Sequence, residues 1–238
     1  MSYTVVIAGV GPGLGASLAR KFVKEGCRVG LFARSADYLL ELEKAIKKEN
    51  GAALAVPADL TDPEQVAKGF RRLREAFGPV EVLIHNASRA AWKGLLELTP
   101  SEFEQAWRIS AYGGFLCARE AVPDMVRKGR GAILFTGATS SVRGRGGALD
   151  FSSAKFAVRG LAESLARELW PKGIHVAHVI VDGAIETPEV RRHLALAPNE
   201  PLLNPDAMAE AYWNLVTQPQ SAWTLEIDLR PFNEEFFV

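Results

Sequence analysis

The chain has 238 residues and a mass of 25.9 kDa, which suits one α/β domain covering residues 1–238. Lysine plus arginine and aspartate plus glutamate number 28 each, and this balance argues against a nucleic acid or an anionic membrane as partner. Cys27 and Cys117 form no disulfide framework or metal-binding pair. No basic-then-apolar leader precedes the first predicted strand. No apolar run is long enough to span a bilayer. We therefore expect a cytoplasmic protein without a metal or a membrane partner.

Apolar runs of strand length alternate with amphipathic helical patterns along the chain. Strands are predicted at 3–8, 28–33, 52–56, 80–84, 131–136, 174–181 and near 223–229, and helices at 14–25, 35–49, 63–77, 100–128, 150–170 and 205–217. The run from Thr99 to Glu102 has the pattern of a capping box, and Asn204-Pro205 is an N-cap residue followed by proline. This alternation predicts a single doubly wound, Rossmann-like parallel sheet of about seven strands with helices on both faces.

The first predicted strand ends in a glycine-dense turn, in the run Val5-Val-Ile-Ala-Gly-Val-Gly-Pro-Gly-Leu-Gly15. A strand, a tight turn and a helix N-terminus point backbone N–H groups at a phosphate, and glycine lets that phosphate approach the backbone. Two registers fit this turn: Gly11, Gly13 and Ala16 match G-x-G-x-x-A, whereas Gly9, Gly13 and Gly15 match G-x-x-x-G-x-G. A glycine-rich connector without a ligand is the alternative.

Ligands of doubly wound sheets bind beyond the carboxyl ends of the strands, so the residues after each strand are informative. Arg34 follows the second strand, where an acidic residue would bind a ribose 2′-hydroxyl; arginine instead favours a 2′-phosphate and hence NADP(H) over NAD(H). A solvated arginine is the alternative. Asp59-Leu60 follows the third strand, where the carboxylate suits an adenine amino group, or else caps the helix that starts at residue 63.

Five spaced motifs resemble the short-chain dehydrogenase/reductase family over nearly the whole chain. They are Ala8-Gly9-x3-Gly13-x-Gly15 (with alanine for the usual threonine), Asp59-Leu60, His85-Asn86-Ala87-Ser88, Phe151-Ser-Ser-Ala-Lys155 and Val181-Asp-Gly-Ala-Ile-Glu-Thr187. The resemblance selects the glycine register that begins at Gly9. It implies a nicotinamide cofactor held by Gly9, Gly11, Pro12, Gly13, Leu14, Gly15, Arg34, Asp59, Leu60, Asn86, Ala87, Lys155, Gly183 and Thr187.

The catalytic positions implied by the resemblance are mostly altered. In the family a tyrosine transfers the proton, a lysine one turn later holds the nicotinamide ribose, a serine orients the carbonyl and an asparagine supports a proton relay. Only Lys155 matches, because Phe151 stands at the tyrosine position, Ala138 at the serine position and Ser110 at the asparagine position. Positioned acid–base groups contribute roughly 10²–10⁴-fold, so we expect ordinary ketone reduction to be very slow. We interpret Lys155 as a cofactor ligand, with a solvated helix lysine as the alternative.

Other side chains are weaker candidates for the missing hydroxyl or acid. Ser140 and Ser141 could substitute if the loop after the fifth strand is offset, although loop serines commonly bond to the backbone. Ser152 and Ser153 point away from Phe151 around the helix. His85 is expected near the adenosine half of the cofactor, and His175 and His178 are expected to be structural.

The glycine-rich loop at 137–147 carries Arg143 and Arg145 at the mouth of the expected site. We predict that these arginines meet an anionic substrate or partner. The Arg-Gly-Arg-Gly-Gly run also suggests RNA contact, but the zero net charge makes nucleic acid unlikely as a partner.

The resemblance implies an NADP(H)-dependent oxidoreductase with an incomplete catalytic set, acting on a small carbonyl, alcohol or enone; the alternative is a catalytically silent NADP(H)-binding sensor or partner protein. It also implies a homodimer or homotetramer assembled through the helices at 100–128 and 150–170. The apolar positions of these helices could belong to the core or to the interface; they are Phe103, Trp107, Leu161, Leu165 and Leu169. The segment 187–205 lies where the family varies its substrate lid. The phenylalanine-rich run at 226–238 is expected to close the core or cover a neighbouring subunit.

Overall fold

The strands form one large parallel sheet and one small one in the computed structural model, which describes residues 2–193 and 201–233. The strands are β1 (Thr4–Ala8), β2 (Arg28–Ala33), β3 (Ala52–Pro57), β4 (Val82–His85), β5 (Gly131–Thr136), β6 (Ile174–Val181), β7 (Ala184–Ile185), β8 (Leu202–Leu203) and β9 (Glu226–Leu229). The large sheet has seven strands in the order β3-β2-β1-β4-β5-β6-β9, and every neighbouring pair is parallel. The predicted seven-stranded Rossmann-like sheet is confirmed.

Helices cover both faces of this sheet, as predicted. They are α1 (Leu14–Lys24), α2 (Ala36–Lys48), α3 (Pro63–Phe77), α4 (Pro100–Trp107), α5 (Gly113–Lys128), α6 (Leu149–Leu169), α7 (Pro188–His193) and α8 (Pro205–Val216). One apolar cluster packs α1, α2 and α8 against one face, and a second packs α3, α5 and α6 against the other. Burial on both faces explains why the central strands are near-continuous apolar runs.

Two local features differ from the predicted elements. The long helix at 100–128 contains one π-helical turn, Arg108–Tyr112, between α4 and α5. The short strands β7 and β8 pair with each other outside the large sheet, and α7 follows β7. Strands of two residues are too short to give a periodic pattern, so the sequence carries no signal for them.

The strand order reverses between β1 and β4, which opens a crevice at their carboxyl ends. β2 and β3 lie on one side of β1, and β5, β6 and β9 lie beyond β4 on the other. The turn after β1 and the loops after β2 to β6 therefore meet at one edge of the sheet. This edge carries the site residues that the sequence predicts.

Candidate functional site

The glycine turn after β1 is shaped by close backbone contacts at Gly9 and Gly13. Gly9 has a φ of +100°, and a Cβ there would lie 2.4 Å from the backbone nitrogen of Ala87. Gly13 has a φ of +139°, and a Cβ there would lie 2.7 Å from Cγ2 of Thr187. A Cβ on Gly15 would lie 2.8 Å from the carbonyl oxygen of Gly9. The geometry thus requires glycine at the positions of the second register, whereas a Cβ on Gly11 would meet open space.

The same contacts bring three predicted motifs together. Asn86 donates from Nδ2 to the carbonyl oxygen of Gly9 at 2.9 Å, and its backbone N–H donates to Ala8 at 2.7 Å. Ala87 and Thr187 lie against Gly9 and Gly13 as described above. Pro12 and Leu14 complete the turn, in which Leu14 begins α1 and is buried.

A cleft of about 360 Å³ opens beside this turn, at the ends of β2 and β3. It is lined by Arg34, Asp59, Thr61, Ser101, Glu104, Gln105, Arg108 and Ile109. Asp59 accepts at Oδ1 from the backbone N–H and the hydroxyl of Thr61, each at 2.8 Å. The cap of α3 is Asp62, so the alternative that Asp59 caps this helix is wrong. Leu60 is buried in the core beneath the cleft.

Arg108 is a second cation of this cleft that sequence reasoning missed. Its Nη2 donates to the carbonyl oxygen of Thr61 at 3.3 Å, and its guanidinium lies 5.4 Å from the ring centroid of Tyr112. Nη1 lies 3.7 Å from Oε1 of Glu104. In a regular helix Arg108 reads as an ordinary charged surface residue. No sequence pattern indicated that Arg108 lies at the start of a π-helical turn.

Lys155 is buried, only 2% exposed, at the carboxyl end of β5. Its Nζ donates to the carbonyl oxygen of Thr136 at 2.8 Å and lies 5.5 Å from the ring centroid of Phe151. Burial lowers the pKa of Lys155 to about 8, because removal from water penalises the charged form. The alternative of a solvated helix lysine is therefore wrong. Phe151 lies one turn earlier on the same helix and offers neither an acid nor a base.

The hydroxyl groups of four candidate serines either bond to the backbone or are buried. Ser141 Oγ accepts from the backbone N–H of Ala138 at 3.0 Å, which is an ordinary loop role. Ser152 Oγ accepts from the backbone N–H of Arg145 at 3.3 Å. Ser140 is buried in the same loop. Ser110 is fully buried, and among the described residues its hydroxyl has no hydrogen-bond partner.

The buried histidines have structural surroundings. His85 Nε2 lies 2.9 Å from the carbonyl oxygen of Ser110, so this nitrogen must carry the donated proton. Burial, and next the ammonium of Lys155, lowers the pKa of His85 to about 4, which leaves the ring neutral at physiological pH. His178 Nδ1 lies 2.9 Å from Oε2 of Glu226, and His175 lies between the carbonyl oxygens of Leu215 and Thr224.

Trp92 is a further residue of this edge that sequence reasoning missed. It has a φ of +55°, which is rare for a bulky side chain, and it is 59% exposed. Its ring centroid lies 5.2 Å from that of Phe151. The preceding residue, Ala91, donates its backbone N–H to Oδ2 of the buried Asp150 at 2.7 Å. Asp150 thus ties the loop after β4 to the first turn of α6.

A comparison with protein families identifies the chain. A family model described as short chain dehydrogenase matches residues 3–195. The chain belongs to the short-chain dehydrogenase family. Among solved structures, a short-chain dehydrogenase from Rhodopseudomonas palustris is 37% identical and superposes with a TM-score of 0.84 over 96% of this chain and 98% of that one. A metagenomic short-chain oxidoreductase solved in complex with NADP is 26% identical, with a TM-score of 0.84 over 97% and 98% of the two chains.

The curated relatives of this short-chain dehydrogenase include two proteins named as reductases. The 3-ketodihydrosphingosine reductase of Mus musculus is 32% identical over 177 residues, which are 72% of this chain and only 53% of the mouse protein. This chain therefore spans about half of that relative's length. The 3-oxoacyl-[acyl-carrier-protein] reductase MabA of Mycobacterium tuberculosis H37Rv is 30% identical over 191 residues, which are 80% of this chain and 72% of MabA.

The loops after β5 and β6 carry the remaining residues of the predicted site. Arg145 is exposed and Arg143 is half-buried in the loop after β5. Asp182, just after β6, is buried, accepts from the hydroxyl of Thr139 and forms an ion pair with Arg230. Gly183 has a φ of +144° and packs against Pro231. Residues 194–200 of the expected lid and 234–238 of the phenylalanine-rich run lie outside the described residues.

Residues 2–193 and 201–233 show neither a metal-binding cluster nor a membrane-spanning helix. No group of three or more histidine, cysteine, aspartate or glutamate side chains there is arranged to hold a metal ion. In that part of the chain, every helix is too short or too polar to cross a membrane.

Proposed function

We propose that this short-chain dehydrogenase binds NADP(H) and acts as an oxidoreductase on activated carbonyl compounds or enones. The observation that carries the cofactor proposal is Arg34, exposed at the end of β2 in the same cleft as Asp59 and beside the glycine turn. A guanidinium at this point suits a 2′-phosphate, because charge-assisted bonds to phosphate are strong and geometrically specific. The related metagenomic oxidoreductase, solved with NADP, supports the proposal.

The residues of the edge fit a dinucleotide. Gly9 and Gly13 hold the backbone in a form that leaves no room for a Cβ, and the N-terminus of α1 favours the pyrophosphate. Arg34 would hold the 2′-phosphate and Asp59 the adenine, with Leu60 beneath, while Asn86, Ala87, Gly183 and Thr187 would flank the nicotinamide half. Lys155 would hold the ribose. When bound, the cofactor supplies or accepts the hydride.

Lys155 is better suited to binding the cofactor than to transferring a proton to the substrate. Its ammonium has three N–H groups and makes one hydrogen bond among the described residues, to Thr136. Ribose hydroxyls would accept the remaining N–H bonds of this buried cation. The side chain is only 2% exposed, and its Nζ lies 5.5 Å from the centroid of the Phe151 ring.

The loss of the phenol restricts the substrates. A simple ketone needs an acid for the developing alkoxide, whereas an activated carbonyl or an enone delocalises that charge within the substrate. Phe151 and Ala138 supply no such acid or donor side chain. The same two residues favour the second candidate function, a catalytically silent NADP(H) sensor or partner protein. Both free cysteines are buried, which accords with the proposal of a reducing, cytoplasmic setting.

The cofactor proposal is tested by titrating the protein with NADPH and NADH while following fluorescence. We expect NADPH to bind about tenfold more tightly, because only NADPH places a phosphate against Arg34. Arg34→Ala should abolish this preference without weakening NADH binding. Arg72→Ala, which removes an exposed arginine on α3, is the matched control. Equal dissociation constants for the two cofactors in the unmodified protein would contradict the proposal.

A further inference from the structure

Trp92 has a backbone conformation that costs free energy, although most of its side chain stays exposed. A positive φ brings the Cβ of an L-residue close to its carbonyl oxygen, and Trp92 remains 59% exposed. Strained residues of this kind are concentrated at ligand sites, where the surrounding structure imposes the conformation. The conformation of Trp92 therefore needs an explanation other than core packing.

Asp150 holds the residue immediately before Trp92 in place. The carboxylate of Asp150 is 1% exposed, accepts the backbone N–H of Ala91 at 2.7 Å, and has no partner for Oδ1 among the described residues. Burying a carboxylate with a hydrogen bond to only one of its two oxygens is unfavourable for folding. The bond fixes the residue immediately before Trp92 against the first turn of α6.

The result is an aromatic surface next to Lys155. The indole of Trp92 lies against the ring of Phe151 at a centroid distance of 5.2 Å and an interplanar angle of 44°. The ammonium of Lys155 lies 5.5 Å from the centroid of the same ring, which places the pair at the cofactor edge of the sheet. We call Trp92 and Phe151 the aromatic pair.

The loop after β5 brings the backbone of Arg145 against the residue that follows Phe151. The backbone N–H of Arg145 donates to the hydroxyl of Ser152, the residue after Phe151, and the side chain of Arg145 is exposed. This bond holds the backbone of Arg145 against α6, and the exposed side chain of Arg145 is accessible to a ligand. Arginine binds carboxylates with two parallel hydrogen bonds.

We propose that the aromatic pair and Arg145 form a binding site for a planar aromatic acid, in which the ring stacks on Trp92 and the carboxylate pairs with Arg145. This deepens the proposed function, because it names the ligand class of the same site. It also explains why a phenylalanine stands at residue 151: the position contributes an apolar ring surface instead of a hydroxyl.

The test is calorimetric titration of the NADPH-loaded protein with three probes. They are 2-naphthoate, 2-naphthalenemethanol, which lacks the charge, and cyclohexanecarboxylate, which lacks the aromatic ring. We expect 2-naphthoate to bind most tightly, with each of the other probes at least about fivefold weaker, since stacking and the ion pair each contribute.

Variants assign the binding to named residues. Trp92→Gly should weaken 2-naphthoate binding about tenfold while it keeps the stability of the parent, because glycine accepts the positive φ. Arg145→Gln should remove the preference for 2-naphthoate over 2-naphthalenemethanol. Leu96→Ala, at a 99% exposed position of the same loop, is the matched control and should change neither affinity.

Asp150 is tested as a positioning residue. Asp150→Ala removes the acceptor for Ala91 and should weaken 2-naphthoate binding, whereas Asp150→Asn retains an acceptor oxygen and should restore it. A merely structural role would lower stability in both variants without separating their affinities.

Three outcomes overturn the inference: unchanged 2-naphthoate affinity in Trp92→Gly, equal binding of all three probes, or no saturable binding of any probe. NADPH binding is measured in the same preparations, so its persistence separates failure of this inference from failure of the proposed function. If NADPH itself does not bind, titration of the cofactor-free protein with the three probes still decides whether the aromatic pair binds acids.

Discussion

Lys155 shows at the scale of one residue how burial and hydrogen bonding compete. Its ammonium group is removed from water, makes one hydrogen bond to Thr136, and lies over the face of the Phe151 ring. A cation over an aromatic face is attracted by the ring quadrupole, which compensates part of the lost hydration. The remaining penalty is what lowers its pKa to about 8. Lys155 therefore destabilises the cofactor-free protein in its charged form.

We expect the stability difference between Lys155→Met and the parent to depend on pH. The pKa of Lys155 is about 8 in the folded chain and near 10.5 when unfolded, so the unfolded chain binds more protons between these values. The parent should thus gain stability relative to the variant as pH rises from 7 to 9.5, by on the order of 2 kcal/mol. Urea unfolding of both proteins at the two pH values measures this. A difference that stays constant with pH would show that the lysine is not perturbed.

The missing phenol at residue 151 is tested by restoring it. Phe151→Tyr combined with Ala138→Ser should raise the rate of ketone reduction by about 10²-fold or more, because a positioned acid beside a lysine ammonium is regained. The measurement is NADPH oxidation, followed by absorbance, with a panel of simple ketones. Phe151→Leu serves as the control, since it changes the ring without adding a proton. A double variant that binds NADPH but gains no activity would favour the silent sensor.

At the scale of elements, the join between β1 and α1 depends on close approach to the loop after β4. Gly9 lies against the backbone of Ala87, and the amide of Asn86 donates to the carbonyl oxygen of Gly9. The turn and the loop after β4 therefore hold each other in place. This contact fixes the two sides of the crevice at the point where the strand order reverses.

The glycines of this turn should differ in their tolerance of a side chain. Gly9→Ala should lower the free energy of unfolding by at least about 2 kcal/mol, from the positive φ and the overlap with Ala87. Gly11→Ala should change it by less than about 0.5 kcal/mol, since a Cβ there meets open space. Denaturant unfolding of the two variants provides the comparison. Similar losses in both would contradict the register that begins at Gly9.

The elements are predictable from the sequence where periodicity and caps act locally. The buried strands are apolar runs, and the caps at Thr99 and Asn204 are formed as their motifs indicate. The π turn that positions Arg108 has no such signature. The residue before Trp92 is held by a hydrogen bond between Ala91 and Asp150, which are 59 residues apart. Local patterns predict the edge of the sheet but not the long-range contacts that shape the site on it.

At the scale of the whole molecule, the apolar positions of the long helices divide between core and surface. Leu169 is buried, and Leu161 and Leu165 pack partly buried against the core. Phe103 and Trp107 on α4 remain exposed, as do Phe115 on α5 and Phe156 on α6. Large exposed aromatic side chains are typical of interfaces. They support the prediction that this short-chain dehydrogenase forms a homodimer or homotetramer.

We expect the protein to sediment as an oligomer and Phe156→Glu to shift it towards the monomer, because a carboxylate at an apolar interface loses hydration without a partner. Leu40→Glu, at an exposed leucine of α2, is the control and should leave the assembly unchanged. Sedimentation velocity over a range of concentrations measures both. A monomeric parent protein, or an unchanged oligomer in Phe156→Glu, would refute this assembly.

The carboxylate of Asp182 has a consequence for how this chain can vary in evolution. It joins the hydroxyl of Thr139, in the loop after β5, to the guanidinium of Arg230, which follows β9. Loss of the Arg230 guanidinium would leave the buried charge of Asp182 without its ion pair, which costs more than the pair itself contributes. Substitutions at Asp182 and Arg230 should therefore occur together. A lineage that changes the end of its last strand should also carry a compensating change in the loop beside the site.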